Sequence, residues 1–339
     1  MLLEERLQDM DFTDRIEKNI QRTAEKLQSG SVIDVESMIP LMDDSPYPNK
    51  IMDVPYGTLT KKEKLDIFYP DSGRGPWPVF MEVHGGAWYF GQKKSVEFEP
   101  FLAGLERGFA CVSLGYTLSP EGHYPLPVQE IKAAVRFLRK NAEKYCLDPE
   151  KIVLWGGSAG AHLASLAAVS CDTGYLDKDL FGLDAVSAKP DVLALWFGCF
   201  DYLHNGRFLE EWIYQNFFGT ENLAAIRRIL ELSSPLSHIT EKVCPTLLQH
   251  GTADTTVPWQ QSQGYYDALV KAGAGERCRL DLLPGCRHAD AAMFARENVE
   301  KVFDFAETFL GRTGNEKVFA QIPHRGNPKQ KMVSKTPVK

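Results

Sequence analysis

Short apolar runs alternate with longer amphipathic segments along most of the chain. The runs have the length of buried strands, and the longer segments carry apolar residues at helical spacing. The predicted strands cover residues 65–69, 78–83, 109–114, 152–155, 192–197, 246–249 and 279–283, and the predicted helices cover residues 128–144, 159–169, 265–272 and 297–310. Apolar strands that alternate with helices favour crossover connections. The pattern therefore predicts an α/β fold, with a mostly parallel central sheet flanked by helices.

The same pattern divides the chain into three parts. Residues 1–59 are predicted to form a helix ending near Gly30 and a proline-rich loop over residues 40–57, a segment suited to capping or docking. Residues 60–311 form the predicted α/β domain, with an aromatic insertion at about residues 200–240 that is expected to lie over the sheet edge as a partial cap. Residues 312–339 are proline-rich and polar, which predicts a disordered tail.

Charge narrows the range of partners. The chain has 38 Lys and Arg against 45 Asp and Glu, for a net charge of −7. Residues 312–339 hold seven Lys or Arg and one acid, so residues 1–311 carry a net charge of −13. An acidic body argues against nucleic acid as a partner and repels polyanionic substrates.

The cysteines and the N-terminus predict a cellular location. Seven cysteines include no C-x-x-C pair, which favours reduced thiols over a disulfide framework or a zinc site. The first residues lack the basic region and the long apolar region of a signal peptide. No run of 18 apolar residues, the length of a transmembrane helix, occurs in the sequence. These features predict a cytoplasmic protein without a membrane partner.

A candidate nucleophile lies between a predicted strand and a predicted helix. Residues 156–160 read Gly-Gly-Ser-Ala-Gly, which matches G-x-S-x-G with Ser158 at its centre. The motif requires this strand–turn–helix context, because the sharp turn lifts the serine hydroxyl above the sheet. Gly156 and Gly160 are expected to allow close packing beside the turn. The alternative is a glycine-rich turn with a helix-capping serine.

A candidate oxyanion hole follows the predicted strand 78–83. Residues 84–88 read His-Gly-Gly-Ala-Trp, and glycines let backbone N–H groups approach a developing oxyanion. We assign the N–H groups of Gly86, Ala87 and Ala159 to this role. His84 is expected to hold the loop by hydrogen bonds. The alternative is a simple tight turn after a strand.

Chain order selects the general base and its carboxylate. In α/β-hydrolases the serine is followed by an acid and then a histidine, each on a loop after a strand. His288 lies after the last predicted strand, and Asp254 lies after the preceding one; Asp290 competes as the acid but is only two residues from His288. His162 shares the helix that follows Ser158, and the remaining histidines precede the serine, adjoin a strand end, or lie in the insertion or tail: His84, His123, His204, His238, His250 and His324.

Together these motifs resemble α/β-hydrolase-fold serine esterases. The resemblance is to the group of hormone-sensitive-lipase-like esterases, bacterial feruloyl and acetylxylan esterases, and arylformamidases. It covers residues 60–310, with matching segments at residues 65–70, 84–88, 148–152, 156–163, 234–236 and 250–262. It implies a Ser158–His288–Asp254 triad. The chain departs from the pattern at Ala87 and Ala161, where relatives have glycine, and at Thr117, where arginine is frequent.

The resemblance implies a carboxylesterase without a metal or organic cofactor. Its expected substrate is a small acyl ester, with acetyl or feruloyl esters of carbohydrates as the first choice. The alternatives are an arylformamidase acting on N-formylkynurenine and a non-catalytic ligand-binding relative. The sequence does not determine the oligomeric state, and a homodimer is one of the alternatives. Five aromatic residues are predicted to line the substrate pocket: Trp88, Tyr116, Phe200, Trp212 and Trp259.

Overall fold

A computed structural model describes residues 39–203 and 211–311, together with Lys18, Gln21 and Glu25. Those three single residues are helical, and the rest of the predicted helix over residues 1–29 lies outside the described residues. The predicted tail, residues 312–339, also lies outside them. Among the helices of the described part, none combines the length and apolarity needed to cross a bilayer.

The described residues form one eight-stranded sheet flanked by helices. The strands are β1 (Lys50–Pro55), β2 (Lys64–Phe68), β3 (Trp77–Val83), β4 (Ala110–Leu114), β5 (Leu147–Gly157), β6 (Val192–Trp196), β7 (Thr246–Gly251) and β8 (Cys278–Leu283). Their spatial order is β1-β2-β4-β3-β5-β6-β7-β8. The β1–β2 and β2–β4 pairs are antiparallel, and all the other pairs are parallel. The predicted α/β fold with a mostly parallel sheet is confirmed.

Helices cover both faces of this sheet. They are α1 (Ala103–Glu106), α2 (Leu126–Lys140), α3 (Ala142–Tyr145), α4 (Ala159–Thr173), α5 (Glu211–Phe218), α6 (Arg227–Ser233), α7 (Gln260–Lys271), α8 (Ala291–Phe294) and α9 (Arg296–Phe309). Short 3₁₀ helices span Val96–Leu102, Pro235–His238 and Gly275–Arg277. Residues of α2, α4 and α7 contribute to one apolar core, and residues of α9 and the Val96–Leu102 helix contribute to the other.

Two local predictions are wrong. The predicted loop over residues 40–57 contains β1, an edge strand in which Lys50 pairs with Phe68 of β2 and only Val54 is buried. Such a strand lacks the apolar run that marks a buried one. The predicted helix over residues 128–144 is two helices, α2 and α3, which meet at Asn141.

The aromatic insertion packs beside the carboxyl ends of the strands. Its described part contains α5, α6 and the Pro235–His238 helix. Phe217 of α5 stacks on Trp88 with 4.4 Å between ring centroids, and Tyr202 lies 5.3 Å from the ring of His162 on α4. The insertion therefore supports α4 and the loop after β3, the two elements that carry the proposed nucleophile and oxyanion donors.

Candidate active site

Ser158 occupies the turn between β5 and α4. Its backbone has φ 53° and ψ −120°, a conformation that residues other than glycine rarely adopt. The turn is held by the Ser158 N–H, which donates to Trp196 O at 2.9 Å. A Cβ at Gly160 would lie 1.9 Å from Val83 O, and one at Gly156 would lie 2.5 Å from Gly160 C. Both positions thus require glycine for close backbone approach, as the motif predicts.

Ser158, His288 and Asp254 form a continuous hydrogen-bonded chain. Ser158 Oγ lies 3.0 Å from His288 Nε2, and His288 Nδ1 lies 2.7 Å from Asp254 Oδ2. An ionised carboxylate can only accept, so Nδ1 carries the proton and Nε2 is left to accept from the serine hydroxyl. This arrangement allows His288 to remove the Ser158 proton. The ring of Phe197 packs edge-on against His288 at 4.8 Å and restricts its movement.

The Asp254 carboxylate is fixed at both oxygens. Oδ1 accepts from the N–H groups of Thr256 and Val257 at 2.9 and 2.8 Å, and Oδ2 accepts from His288 and from His250 Nε2 at 3.1 Å. Burial by itself would raise the pKa of Asp254, but the two histidines outweigh it and hold this pKa well below its usual range. Asp254 is therefore ionised at neutral pH. Asp290, the competing acid, instead caps α8 by accepting from Ala292 N.

His84 and His162 are structural. His84 Nδ1–H donates to Gly85 O at 2.8 Å, and its ring stacks on Tyr116. His162 Nδ1 accepts from the indole N–H of Trp88 at 3.1 Å, and Nε2–H donates to Ser233 O at 2.8 Å. Burial lowers the pKa of each histidine to about 4, so both are neutral near pH 7. Each ring braces the loop after β3.

The loop after β3 has a strained backbone beside Ser158. Gly86, Ala87 and Trp88 have φ values of 109°, 52° and 58°. A Cβ at Gly86 would lie 2.4 Å from Phe90 O, so this turn requires glycine. Gly86, Ala87 and Ala159 all line the pocket that contains Ser158. Ala159 is the first residue of α4, where backbone N–H groups lack helical acceptors.

The pocket wall differs from the predicted set of aromatic residues. Of those five, all described, only Trp88 lines the pocket. The predicted wall residues Tyr116 and Phe200 are buried core, Trp212 packs on Tyr89, and Trp259 precedes α7. The other large apolar side chains in the wall are Ile39, Phe90, Trp155, Phe197 and Phe294. They come from several separate elements, so no single segment of sequence indicates them.

A carboxylate also lines the pocket, and the cavity is small. Glu97 lines it, and a Cβ built on Gly85 would lie 3.7 Å from Glu97 Oε2 and 3.6 Å from Ser158 Cβ. The cavity volume is about 40 Å³, and roughly 10–15 Å³ of such volume holds one water molecule. The cavity therefore suits a group of a few heavy atoms. Within the described ranges, no group of three or more His, Cys, Asp or Glu side chains is placed to hold a metal ion.

Glu82 gives a testable pH dependence of stability. It is fully buried on β3, and its Oε2 accepts from Ser113 Oγ at 2.9 Å. Burial raises the pKa of Glu82 to about 8, and nearby Glu97 adds to this rise. A raised carboxyl pKa favours folding below the unfolded pKa of about 4.5, and this contribution is lost as the pH rises through 8.

We expect Glu82→Gln to remove this loss, since glutamine cannot ionise and can still accept from Ser113. Urea unfolding of both proteins at pH 5 and pH 8.5 measures it. The stability of the variant relative to the natural protein should rise by a few kcal/mol, roughly, between these pH values. Parallel stability curves for the two proteins would show that Glu82 ionises equally in the folded and unfolded states.

Known proteins show the same architecture and related sequences. The BD-FAE family model matches residues 65–269. Esterase LipQ of Mycobacterium tuberculosis is 32% identical over 274 residues, which are 78% of this chain and 64% of LipQ. A truncated carbohydrate esterase from gut microbiota has a TM-score of 0.71 and 25% identity, covering 81% of this chain and 100% of that one. Kynurenine formamidase of Danio rerio is 29% identical over 224 residues, 66% of this chain and 70% of the relative.

These matches cover different parts of the chain and of the candidate site. The chain spans less than two thirds of the length of LipQ. The matched segment contains Ser158, Asp254 and the loop after β3, whereas His288 lies beyond residue 269. The gut carbohydrate esterase covers 81% of this chain, and the two proteins therefore share the α/β architecture over most of its length.

Proposed function

The chain belongs to the BD-FAE family, and from that premise we propose that it is a serine carboxylesterase that hydrolyses small acyl esters through an acyl-enzyme on Ser158. The observation that carries the proposal is the hydrogen-bonded chain from Ser158 Oγ to His288 and on to Asp254, at 3.0 and 2.7 Å. This geometry supports nucleophilic catalysis with a positioned base. The similarity to LipQ, itself named an esterase, supports the ester as the reacting group.

In the first step His288 Nε2 takes the proton of Ser158 Oγ as this oxygen bonds to the ester carbonyl carbon. The imidazolium that forms is stabilised by ionised Asp254, which stays unprotonated. His288 then gives the proton to the leaving alcohol oxygen, and the C–O bond of the ester breaks. Water attacks the acyl-enzyme by the same route in reverse, with His288 again as the base, and this releases the acid and restores Ser158.

The negative charge of each tetrahedral intermediate falls on the former carbonyl oxygen. The N–H groups of Gly86, Ala87 and Ala159 are proposed to donate to it, because all three residues border the pocket at Ser158. One such donor is worth ~10²–10³-fold in kcat in comparable hydrolases. The strained loop and the helix start supply these donors without rearrangement during the reaction.

The pocket favours a short acyl group. Trp155, Phe197 and Phe294 line the same pocket as Ser158, and the cavity of about 40 Å³ has room for an acetyl group more readily than for a feruloyl group. We therefore propose acetyl esters as the main substrates. A carbohydrate as the alcohol is supported by the structural similarity to the gut carbohydrate esterase.

Arylformamidase activity is the alternative, because kynurenine formamidase of Danio rerio is among the similar proteins. The same triad can attack a formamide carbonyl, and a formyl group is smaller still than acetyl. A ligand-binding relative without catalysis is a further alternative, which the complete hydrogen-bonded chain at Ser158 makes the weaker one.

A substrate panel tests these proposals. It compares p-nitrophenyl acetate, butyrate and octanoate, an acetylated xylo-oligosaccharide, a methyl ferulate and N-formylkynurenine, each with Ser158→Ala as the background. We expect kcat/KM to fall at least ~10-fold from acetate to octanoate, since overpacking the pocket costs more than ~1 kcal/mol. The highest kcat/KM on N-formylkynurenine would instead identify a formamidase. Absence of Ser158-dependent turnover on all substrates would favour the ligand-binding alternative.

A further inference from the structure

Asp254 contacts a second histidine that does not face Ser158. His250 is the penultimate residue of β7 and is fully buried. Its Nε2 lies 3.1 Å from Asp254 Oδ2 and 2.9 Å from Val257 O, while its Nδ1 lies 2.7 Å from Ser262 Oγ. In the sequence His250 is marked only as a strand-end residue, because no local pattern indicates that it contacts Asp254.

These contacts assign the tautomer of His250. Both neighbours of Nε2 are acceptors, because Asp254 is ionised and Val257 offers a carbonyl oxygen, so Nε2 carries the proton. The Ser262 hydroxyl then donates to Nδ1. The imidazole is consequently an Nε2–H donor with a fixed direction, and the contact of Nδ1 with Ser262 on α7 holds the ring with Nε2 facing Asp254.

The two histidines share one carboxylate oxygen. Asp254 Oδ2 accepts from both His288 Nδ1 and His250 Nε2, whereas Oδ1 accepts only from backbone N–H groups. The His250 bond to Val257 O also ties the Asp254 turn to β7. Rotation of the carboxylate about its Cβ–Cγ bond would break contacts on both oxygens. His250 thus limits the positions that Oδ2 can take opposite His288.

We propose that His250 is a positioning residue for the hydrolysis proposed above, and that Ser262 acts through it by fixing its tautomer. The inference rests on the proposed function. His250 is not among the residues that line the pocket with Ser158. Its loss should therefore lower kcat and leave KM nearly unchanged, because Asp254 orients His288 during proton transfer and does not bind the ester.

The variants His250→Leu, His250→Gln and Ser262→Ala test the proposal. Leucine removes the donor, whereas the side-chain amide of glutamine can still donate to Asp254 Oδ2. We expect His250→Leu to lower kcat for p-nitrophenyl acetate ~10–10²-fold with KM within about 2-fold, the size of effect that outer hydrogen-bond partners of metal ligands have. Glutamine should restore most of kcat. Ser262→Ala should lower kcat by a smaller factor, because either ring nitrogen of His250 can then carry the proton and only the Nε2–H tautomer donates to Asp254.

Proton NMR supplies a readout that a purely structural role would not move. The His288 Nδ1–H shared with Asp254 is expected at low field, and this resonance should shift in His250→Leu and return in His250→Gln. The matched control is His238→Leu, which also removes a buried histidine hydrogen bond, here to Leu232 O at 2.8 Å, but contacts neither Asp254 nor the pocket. Its kcat and low-field resonance should equal those of the natural protein.

The outcomes separate this proposal from the proposed function. Natural kcat and an unmoved resonance in folded His250→Leu and Ser262→Ala would overturn the positioning role. If His250→Leu fails to fold, His250→Gln and Ser262→Ala give the same comparison. The NMR measurement requires no turnover, so it tests whether His250 positions Asp254 against His288 even if the natural protein hydrolyses no ester, a result that would overturn the proposed function.

Discussion

Ser158→Ala and His288→Ala are each expected to lower kcat for p-nitrophenyl acetate at least ~10⁴-fold. The first variant removes the attacking oxygen, and the second removes the base that lies 3.0 Å from it. Groups of a triad act as a unit, so the double variant should lose no more than either single variant. Steady-state kinetics on all three proteins measures this, with urea unfolding as the test of the fold.

Asp254→Asn provides the matched comparison within the same chain of hydrogen bonds. It keeps the size of the side chain but removes the charge that stabilises the His288 imidazolium, and its loss in kcat should approach ~10⁴-fold. A double variant whose loss in kcat equals the product of the two single losses would mean that these side chains do not act in one step. Retained turnover in Ser158→Ala would mean that another residue is the nucleophile.

Gly160→Ala is expected to have the largest effect among substitutions outside the triad. The new Cβ would lie 1.9 Å from Val83 O and 2.6 Å from His84 O, both backbone atoms that cannot rotate away. Either the turn at Ser158 or the loop after β3 must move. Overpacking of this kind costs ~3 kcal/mol of folding stability, and displacement of the oxyanion donors should lower kcat ~10²-fold.

Gly174→Ala at the end of α4 is the control for this substitution. Gly174 has φ 72° but nothing within 4 Å of a Cβ, so its replacement adds strain of about 1 kcal/mol without a clash. It should leave kcat unchanged. Equal stability losses in the two variants would mean that the clash at residue 160 costs no more than the backbone strain at residue 174, and that close packing against the end of β3 does not require glycine at residue 160. Thermal or urea unfolding, combined with kcat, distinguishes the two causes.

The sequence predicted those parts of the molecule whose signals are local. Buried parallel strands are short apolar runs, and the turn at Ser158 carries its own glycines, so both could be located without a structure. The order of strand ends then placed Asp254 and His288. Their predicted proximity agrees with the geometry, because carboxyl ends of parallel strands meet at one edge of the sheet.

Features that depend on long-range packing could not be predicted in this way. The strand β1 has one buried residue and gains its structure from pairing with β2. The pocket wall combines Ile39, Trp155, Phe197 and Phe294 from four distant segments, whereas Tyr116 and Phe200, predicted for the wall, serve the core. Aromatic residue type alone does not distinguish pocket from core, because whether a side chain points into the pocket or into the core depends on how the whole sheet and its helices pack.

The measurement that tests the central claim most directly is covalent labelling with a fluorophosphonate, followed by intact mass spectrometry and peptide mapping. An activated serine at this site should form one adduct per chain, on Ser158, with loss of esterase activity in proportion to labelling. Ser158→Ala should remain unlabelled, and His288→Ala should label far more slowly. Ester hydrolysis that persists in a fully labelled protein, or an adduct on a residue other than Ser158, would contradict the account.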